Sequence, residues 1–304
     1  MSERQKQTLV KMGGKRLRFD CPMKSYTSIK VGGAAEAIYQ TRNLEDLLRT
    51  ITYLDQSDIP FFLLGQGSNL LVRDKGIEGV VITLGKDLSL IEQETSNERN
   101  LQAGGGASLS ELLTFCQKKG LSGLEFLAGI PGSVGGATFM NAGAFGHEIE
   151  SRIKKIIIVN RKGDLLTRDR SQLEFRYRRL SLPEGSVIVK VYFELEKEAP
   201  GIISKRMTTY LKQRKRSQPL KYPSAGSIFK NPPNDYAGRL IEKVGLKGIR
   251  KGDAMISDKH ANWIVNTGQA RAEDILSLID LAKEAVMKET GIMLEEEIKI
   301  VGVE

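Results

Sequence analysis

Residues 120–146 read GLSGLEFLAGIPGSVGGATFMNAGAFG. Glycines alternate here with small alanines, around the turns Gly129-Ile130-Pro131-Gly132-Ser133 and Asn141-Ala142-Gly143. A glycine has no Cβ and tolerates positive φ, so its backbone can approach a ligand closely. Successive N–H groups of such a backbone form a concavity for anions. A stretch this rich in bare backbone, continued by Gly135-Gly136, predicts a wrap around an extended, phosphate-bearing cofactor. Ordinary loop glycines are the competing reading.

A second loop of the same character weighs against that reading. Gly65-Gln66-Gly67-Ser68-Asn69 follows the apolar stretch 59–63, which reads as a buried strand. Strand, Gly-x-Gly-Ser-Asn and a further apolar run make a pyrophosphate cradle, but not the Rossmann fingerprint. The third glycine is missing and no helix pattern follows.

The chain has 304 residues, enough for two or three lobes, and no apolar run long enough to span a bilayer. Its N-terminus, residues 1–19, is basic without an apolar core, so it reads as a loosely docked lead-in and not as a secretory signal. Cys21 and Cys116 are isolated and make no metal-ligand pattern. Cys116 falls on the apolar face of a helix that Ser108 or Ser110 opens and Gly120 ends. A cytoplasmic location and no bound metal are the expectations.

The net charge of +9 is concentrated. Between residues 205 and 251, thirteen Lys and Arg face only Asp235 and Glu242, so this segment exceeds the whole-chain excess and the rest is slightly acidic. An anionic partner follows. The segment lacks the interleaved aromatics of a single-strand binder, which favours a polyanionic small molecule over nucleic acid.

Asn43 caps a helix reaching about residue 55, and strands are expected at 36–41, 60–64, 79–84, 100–104, 153–161 and 186–195. A boundary near 196–201 precedes helices at about 204–217, 235–244 and 272–290, a strand around 263–265 and a terminal strand 297–301. Intermixed helix and strand signals with no long βαβ array predict an α+β protein. The domains expected are the lead-in 1–19, a cofactor-binding region 20–200 and a substrate-binding domain 201–304.

Five segments taken together are more specific. They are TSIKVGGAAEAIY (27–39), LGQGSNLLVRDKGIEGVVI (64–82), GLEFLAGIPGSVGGATFMNAGAFGHEI (123–149), PSAGSIFKNP (223–232) and KHANWIVN (259–266). In this order they closely resemble the UDP-N-acetylenolpyruvoylglucosamine reductase family. The resemblance implies a two-lobed FAD-binding region of the vanillyl-alcohol-oxidase type and a C-terminal α+β substrate-binding domain. It implies FAD as bound cofactor on the two glycine loops, NADPH as reductant and a UDP-linked enolpyruvyl amino sugar as substrate. Ser227 then matches the proton-donating serine, Arg178 the arginine of the Phe-x-Tyr-Arg motif, and Glu297 the C-terminal active-site acid, with Glu295 its rival. Arg214, Lys230, Asn231, Lys247 and His260 are the expected contacts to the substrate, Arg214 and Asn231 matching family positions best. The short segment after Arg178 resembles the subclass without an extra capping loop. A monomer that binds neither nucleic acid nor membrane is the working expectation. His147 carries no assignment.

The chemistry fits these residue types. Hydride addition to the alkene places negative charge on the adjacent carboxylate, which a fork of arginine donors stabilises. A serine hydroxyl can protonate a strongly basic carbanion if its own charge is stabilised nearby. Two alternatives stay open at this point: another flavin oxidoreductase on the same scaffold, and an anionic-partner or nucleic-acid binder built on 205–251.

Overall fold

In a computed structural model, all residues from 1 to 304 are described. The chain forms two compact units that interleave in sequence. The first holds Met1–Phe19, Ala37–Gln66 and Gly79–Gln213; the second holds Asp20–Glu36, Gly67–Glu78 and Arg214–Glu304. This differs from a sequential partition at residue 200, because two N-terminal segments join the C-terminal unit.

The first unit contains two layered lobes. One is built on a four-stranded sheet in the order Leu17–Pro22, Ala34–Thr41, Ile77–Leu84, Phe61–Leu64, whose strands run on beyond the unit's boundaries. Helix α1 (Glu3–Gly13) and helix α2 (Leu44–Gln56) contribute to its core. The N-terminal segment is therefore a docked helix and not a loose lead-in: Ser2 and Gln5 form a capping box, and Leu9 is fully buried. Helix α2 starts where Asn43 accepts from the amide of Asp46 at 3.0 Å. Its spacing then buries Leu47, Ile51 and Leu54, each worth about 1.5–3 kcal/mol.

Asp46, also buried, accepts from Tyr39 Oη at 2.9 Å, the Arg42 amide at 2.8 Å, Arg49 at 3.0 Å and Arg16. Burial by itself would raise its pKa. The Arg16 hydrogen bond and the other donors outweigh this and hold the carboxyl below its ordinary range.

The other lobe is a five-stranded antiparallel sheet in the order Leu165–Asp169, Ile153–Val159, Val187–Glu194, Asn100–Gly104, Ile91–Gln93. Helix α3 (Leu109–Lys119), capped by Ser108 and closed by Gly120 in the left-handed region, shares its core with helix α4 (Val134–Phe139). Cys116 lies in that core, and burial pushes its thiol up to about 12. Helix α5 (Pro200–Ser217) begins four residues before the expected start. Pro200 lacks the N–H that a first turn leaves unpaired, so it opens the helix within the expected boundary segment.

The second unit packs helix α6 (Ala237–Lys243) and helix α7 (Ala272–Thr290) with a three-stranded antiparallel sheet, Arg250–Lys251, Ala254–Ile256 and Ile264–Asn266. Leu70–Val72 pairs in parallel with the C-terminal strand Lys299–Val301. Asp74 accepts from the amides of Ala272 and Glu273, both at 3.0 Å, and so supplies donor-free oxygens to the first turn of α7. No helix is long and apolar enough to cross a membrane.

Candidate active site

In the first unit, the two glycine loops meet at Gly65 and Ser133. A Cβ built on Gly65 would stand 2.6 Å from Ser133 Oγ, so only bare backbone fits there. Ser133 caps α4, accepting from the amide of Gly136 at 3.2 Å. The amides of Val134 and Gly135 are turned inward to the carbonyls of Ala107 and Gly105, each at 2.8 Å. The α4 turn is thus a wall, while the amides of Gly129, Gly132 and Ser133 are left unconsumed by the fold. Close-packed glycine backbone with outward amides fits the phosphates of a dinucleotide. Phe145, stacked on Tyr210 at 4.5 Å between centroids, and Phe139 are exposed aromatic side chains of the same unit.

Asn141, an expected cofactor contact, uses its side chain within the protein. It is fully buried with φ +43°, and its amide donates to Glu148 at 2.8 Å and to the Arg176 carbonyl at 3.2 Å. Its oxygen accepts from the Glu150 amide at 3.3 Å. Only its backbone remains to meet a cofactor.

Arg178 is the second loop residue of the hairpin Glu174–Arg176/Arg179–Ser181. Its φ of +56° is a left-handed position that glycine usually fills. Its Nη2 donates to the carbonyl of Gly143 at 3.0 Å, and its Nη1 lies 3.7 Å from Glu148 Oε1. The expected arginine is therefore docked on the expected Asn141-Ala142-Gly143 turn. Burial, with Glu150 nearby, sets the Glu148 carboxyl above its ordinary range, although Arg178 and Asn141 oppose this.

In the second unit, Gly67 has φ +62° and a Cβ there would lie 2.1 Å from the Tyr26 carbonyl. Its own carbonyl accepts from the Ser28 amide at 3.0 Å. The Asn69 side chain is committed, donating to the Glu297 carbonyl at 3.1 Å. Ser68 and Gln66 complete the loop, half-buried and exposed respectively.

The segment after Gly226 runs antiparallel to residues 295–298. The Lys230 amide donates to the Glu295 carbonyl and the Glu297 amide to the Ile228 carbonyl, both at 2.8 Å. Ser227 and Glu297 are thereby brought to neighbouring rungs, each half-buried. The three acids separate: exposed Glu295 pairs with Lys230, and Glu296 pairs with Lys283 at 2.8 Å. Buried Asn262 secures the segment, accepting from the Phe229 amide at 2.9 Å and donating to its carbonyl at 2.8 Å. This explains the Asn of KHANWIVN, a residue the sequence reading did not single out.

The expected substrate contacts divide. Arg214 is buried with no partner for its Nε, and burial lowers its pKa. A buried guanidinium in this state calls for an anion. Asn231 gives its side-chain oxygen to the Ala237 amide at 3.1 Å, capping α6, and Lys247 pairs with Glu242 at 3.0 Å. His260 Nδ1 faces the Asn262 amide at 3.3 Å; burial, with Lys247 nearby, lowers its pKa and keeps it neutral near pH 7. His147 is exposed, 5.5 Å from Phe126.

Comparison with known proteins shows the family. Residues 35–168 match the FAD binding domain, which defines the chain as a flavoprotein. A Phl p 4 glucose oxidase variant shares the fold at TM-score 0.50 and 17% identity, over 65% of this chain and 45% of that one. Residues 218–301 match the C-terminal domain of UDP-N-acetylenolpyruvoylglucosamine reductase. The reductase of that name from Syntrophus aciditrophicus is 46% identical over 93% of this chain and 91% of its own, and that from Geobacter metallireducens 42% over 97% of each. The crystal structure of the Thermus caldophilus reductase aligns at TM-score 0.80 and 37% identity, covering 94% of this chain and 98% of that one. The chain belongs to the UDP-N-acetylenolpyruvoylglucosamine reductase family.

Proposed function

We propose that the protein is an FAD-dependent oxidoreductase that reduces the enolpyruvyl group of UDP-N-acetylglucosamine enolpyruvate with NADPH, forming UDP-N-acetylmuramate for peptidoglycan precursor synthesis in the cytoplasm. The pairing of the Ser227–Lys230 segment with Glu295–Ile298 carries this reading, because it sets Ser227 and Glu297 on adjacent rungs; buried Arg214, its Nε without a partner, supports an anionic substrate.

FAD, when bound, supplies the two-electron chemistry that delivers hydride to C3 of the alkene. The glycine backbone at 65–67 and 129–133 holds it, with Gly135, Gly136 and the Asn141-Ala142-Gly143 turn as supporting wall. Ser227 donates the proton to C2, so hydride and proton together saturate the double bond. Arg178 stabilises charge on the substrate carboxylate, and Glu297 orients the proton-donating site. Arg214 receives the diphosphate, with Lys230 and the backbone near Asn231, Lys247 and His260 completing the nucleotide contacts.

An anaerobic visible spectrum of the FAD-loaded protein tests the reading. Bleaching by NADPH followed by recovery on adding the enolpyruvyl sugar is expected. Bleaching without recovery removes the substrate assignment, and failure to hold flavin removes the reading altogether.

A further inference from the structure

Arg178 sits in a conformation its residue type does not favour, on a two-residue turn, yet its side chain is only 18% exposed. The groups around it include the Gly143 carbonyl, the Glu148 carboxylate and the ring of Tyr177 at 4.8 Å. Glu148 is itself fixed. Its Oε2 accepts from Asn141, whose amide also holds the Arg176 carbonyl at the base of the same hairpin. One buried asparagine thus ties the glycine loop, the acid and the arginine hairpin together. Glu150 pairs with Arg170 at 2.6 Å, and its other oxygen lies 3.4 Å from the same Asn141 amide. Glu148 is a carboxylate that faces the guanidinium, its Oε1 3.7 Å from Nη1.

We propose that Glu148 is a positioning residue for Arg178: braced by Asn141, its carboxylate keeps the guanidinium on the Gly143 carbonyl, aimed for a substrate carboxylate. The inference rests on the role given to Arg178 above. Glu148 touches neither cofactor nor substrate and acts only through the arginine. Without it, the long side chain regains its rotamers and the fork of donors loses its fixed direction.

Four full-length, FAD-loaded proteins test this: Glu148→Ala, Glu148→Gln, Arg178→Ala and the Glu148→Ala/Arg178→Ala double variant. Flavin reduction by NADPH is expected within about twofold of wild type in the two single Glu148 variants. Reoxidation by the enolpyruvyl sugar should slow roughly tenfold to a hundredfold in Glu148→Ala. Glu148→Gln, which keeps an acceptor for Asn141, should fall in between. In the double variant the Glu148 change should add less than about twofold to the loss from Arg178→Ala. Additive losses, or equal slowing of both half-reactions, overturn the proposal. Crystal structures of Glu148→Ala and Glu148→Gln decide it independently of the substrate: Arg178 displaced from Gly143 supports it, and an unmoved guanidinium overturns it. Wild-type protein that is bleached but not reoxidised by the sugar would overturn the substrate reading, while the crystal structures still decide the positioning.

Discussion

The side-chain amide of Asn69 donates to the main-chain carbonyl of Glu297 at 3.1 Å. A residue of the first glycine loop therefore pins the C-terminal acid, whose own amide is held by Ile228. Asn69→Ala is expected to cost about 1 kcal/mol of stability in urea unfolding. It should slow flavin reoxidation by substrate more than reduction by NADPH.

Ser227→Ala should leave flavin bleaching by NADPH intact and slow reoxidation by at least about a hundredfold. Stopped-flow absorbance separates the two half-reactions. Equal losses in both would remove the proton-donor role. Glu297→Gln should follow the serine variant, whereas Glu295→Gln, changing an exposed partner of Lys230, should stay within about threefold of wild type.

Arg178→Gly separates function from fold. Glycine relieves a left-handed strain of about 1 kcal/mol, which offsets the lost contacts to Gly143 and Glu148. Melting temperature should change by no more than a few degrees, while substrate reduction falls by orders of magnitude. A collapse of both would make Arg178 a structural residue.

Gly65→Ala should weaken FAD binding, because the new methyl displaces Ser133 Oγ from its cap on α4. Fluorescence titration of apoprotein with FAD is expected to show at least a tenfold higher Kd. Unchanged affinity would contradict the backbone-cradle argument.

Asp46 predicts a pH effect on stability. Its folded pKa is depressed by Arg16 and its other donors, so its contribution is present above the ordinary carboxylate pKa and is lost as pH falls through the folded value. Asp46→Asn should lower stability by about 2–3 kcal/mol at pH 7. Its denaturant midpoint should converge on that of wild type in acid.

Local signals were legible in the residues themselves. Asn43, Ser108, Gly120 and Gly291 cap helices where their side chains, or lack of one, say they should. The glycine loops were legible because backbone approach demands glycine. Long-range pairing was not, since nothing local in Leu70-Leu71-Val72 names Lys299–Val301 as its partner. The choice among Glu295, Glu296 and Glu297 depended on cations more than ten residues away or across the strand, Lys283 and Lys230. Helix α1 was missed because its apolar residues are sparse and the Ser2–Gln5 capping box is a faint mark beside so many charges. Asn69, Asn141 and Asn231 look like ligands in sequence, and in the structure each also bonds the protein's own backbone.

The parallel pairing of Leu70–Val72 with Lys299–Val301 also sets a timetable for biosynthesis. The first strand leaves the ribosome long before the second exists. At about 5–20 residues per second, the wait is on the order of ten to fifty seconds. Through that interval a fully apolar strand has no strand partner, although Ile29 and Val31 of its core are already made. The same pairing makes loss of the last few residues costlier than their position at the end of the chain suggests.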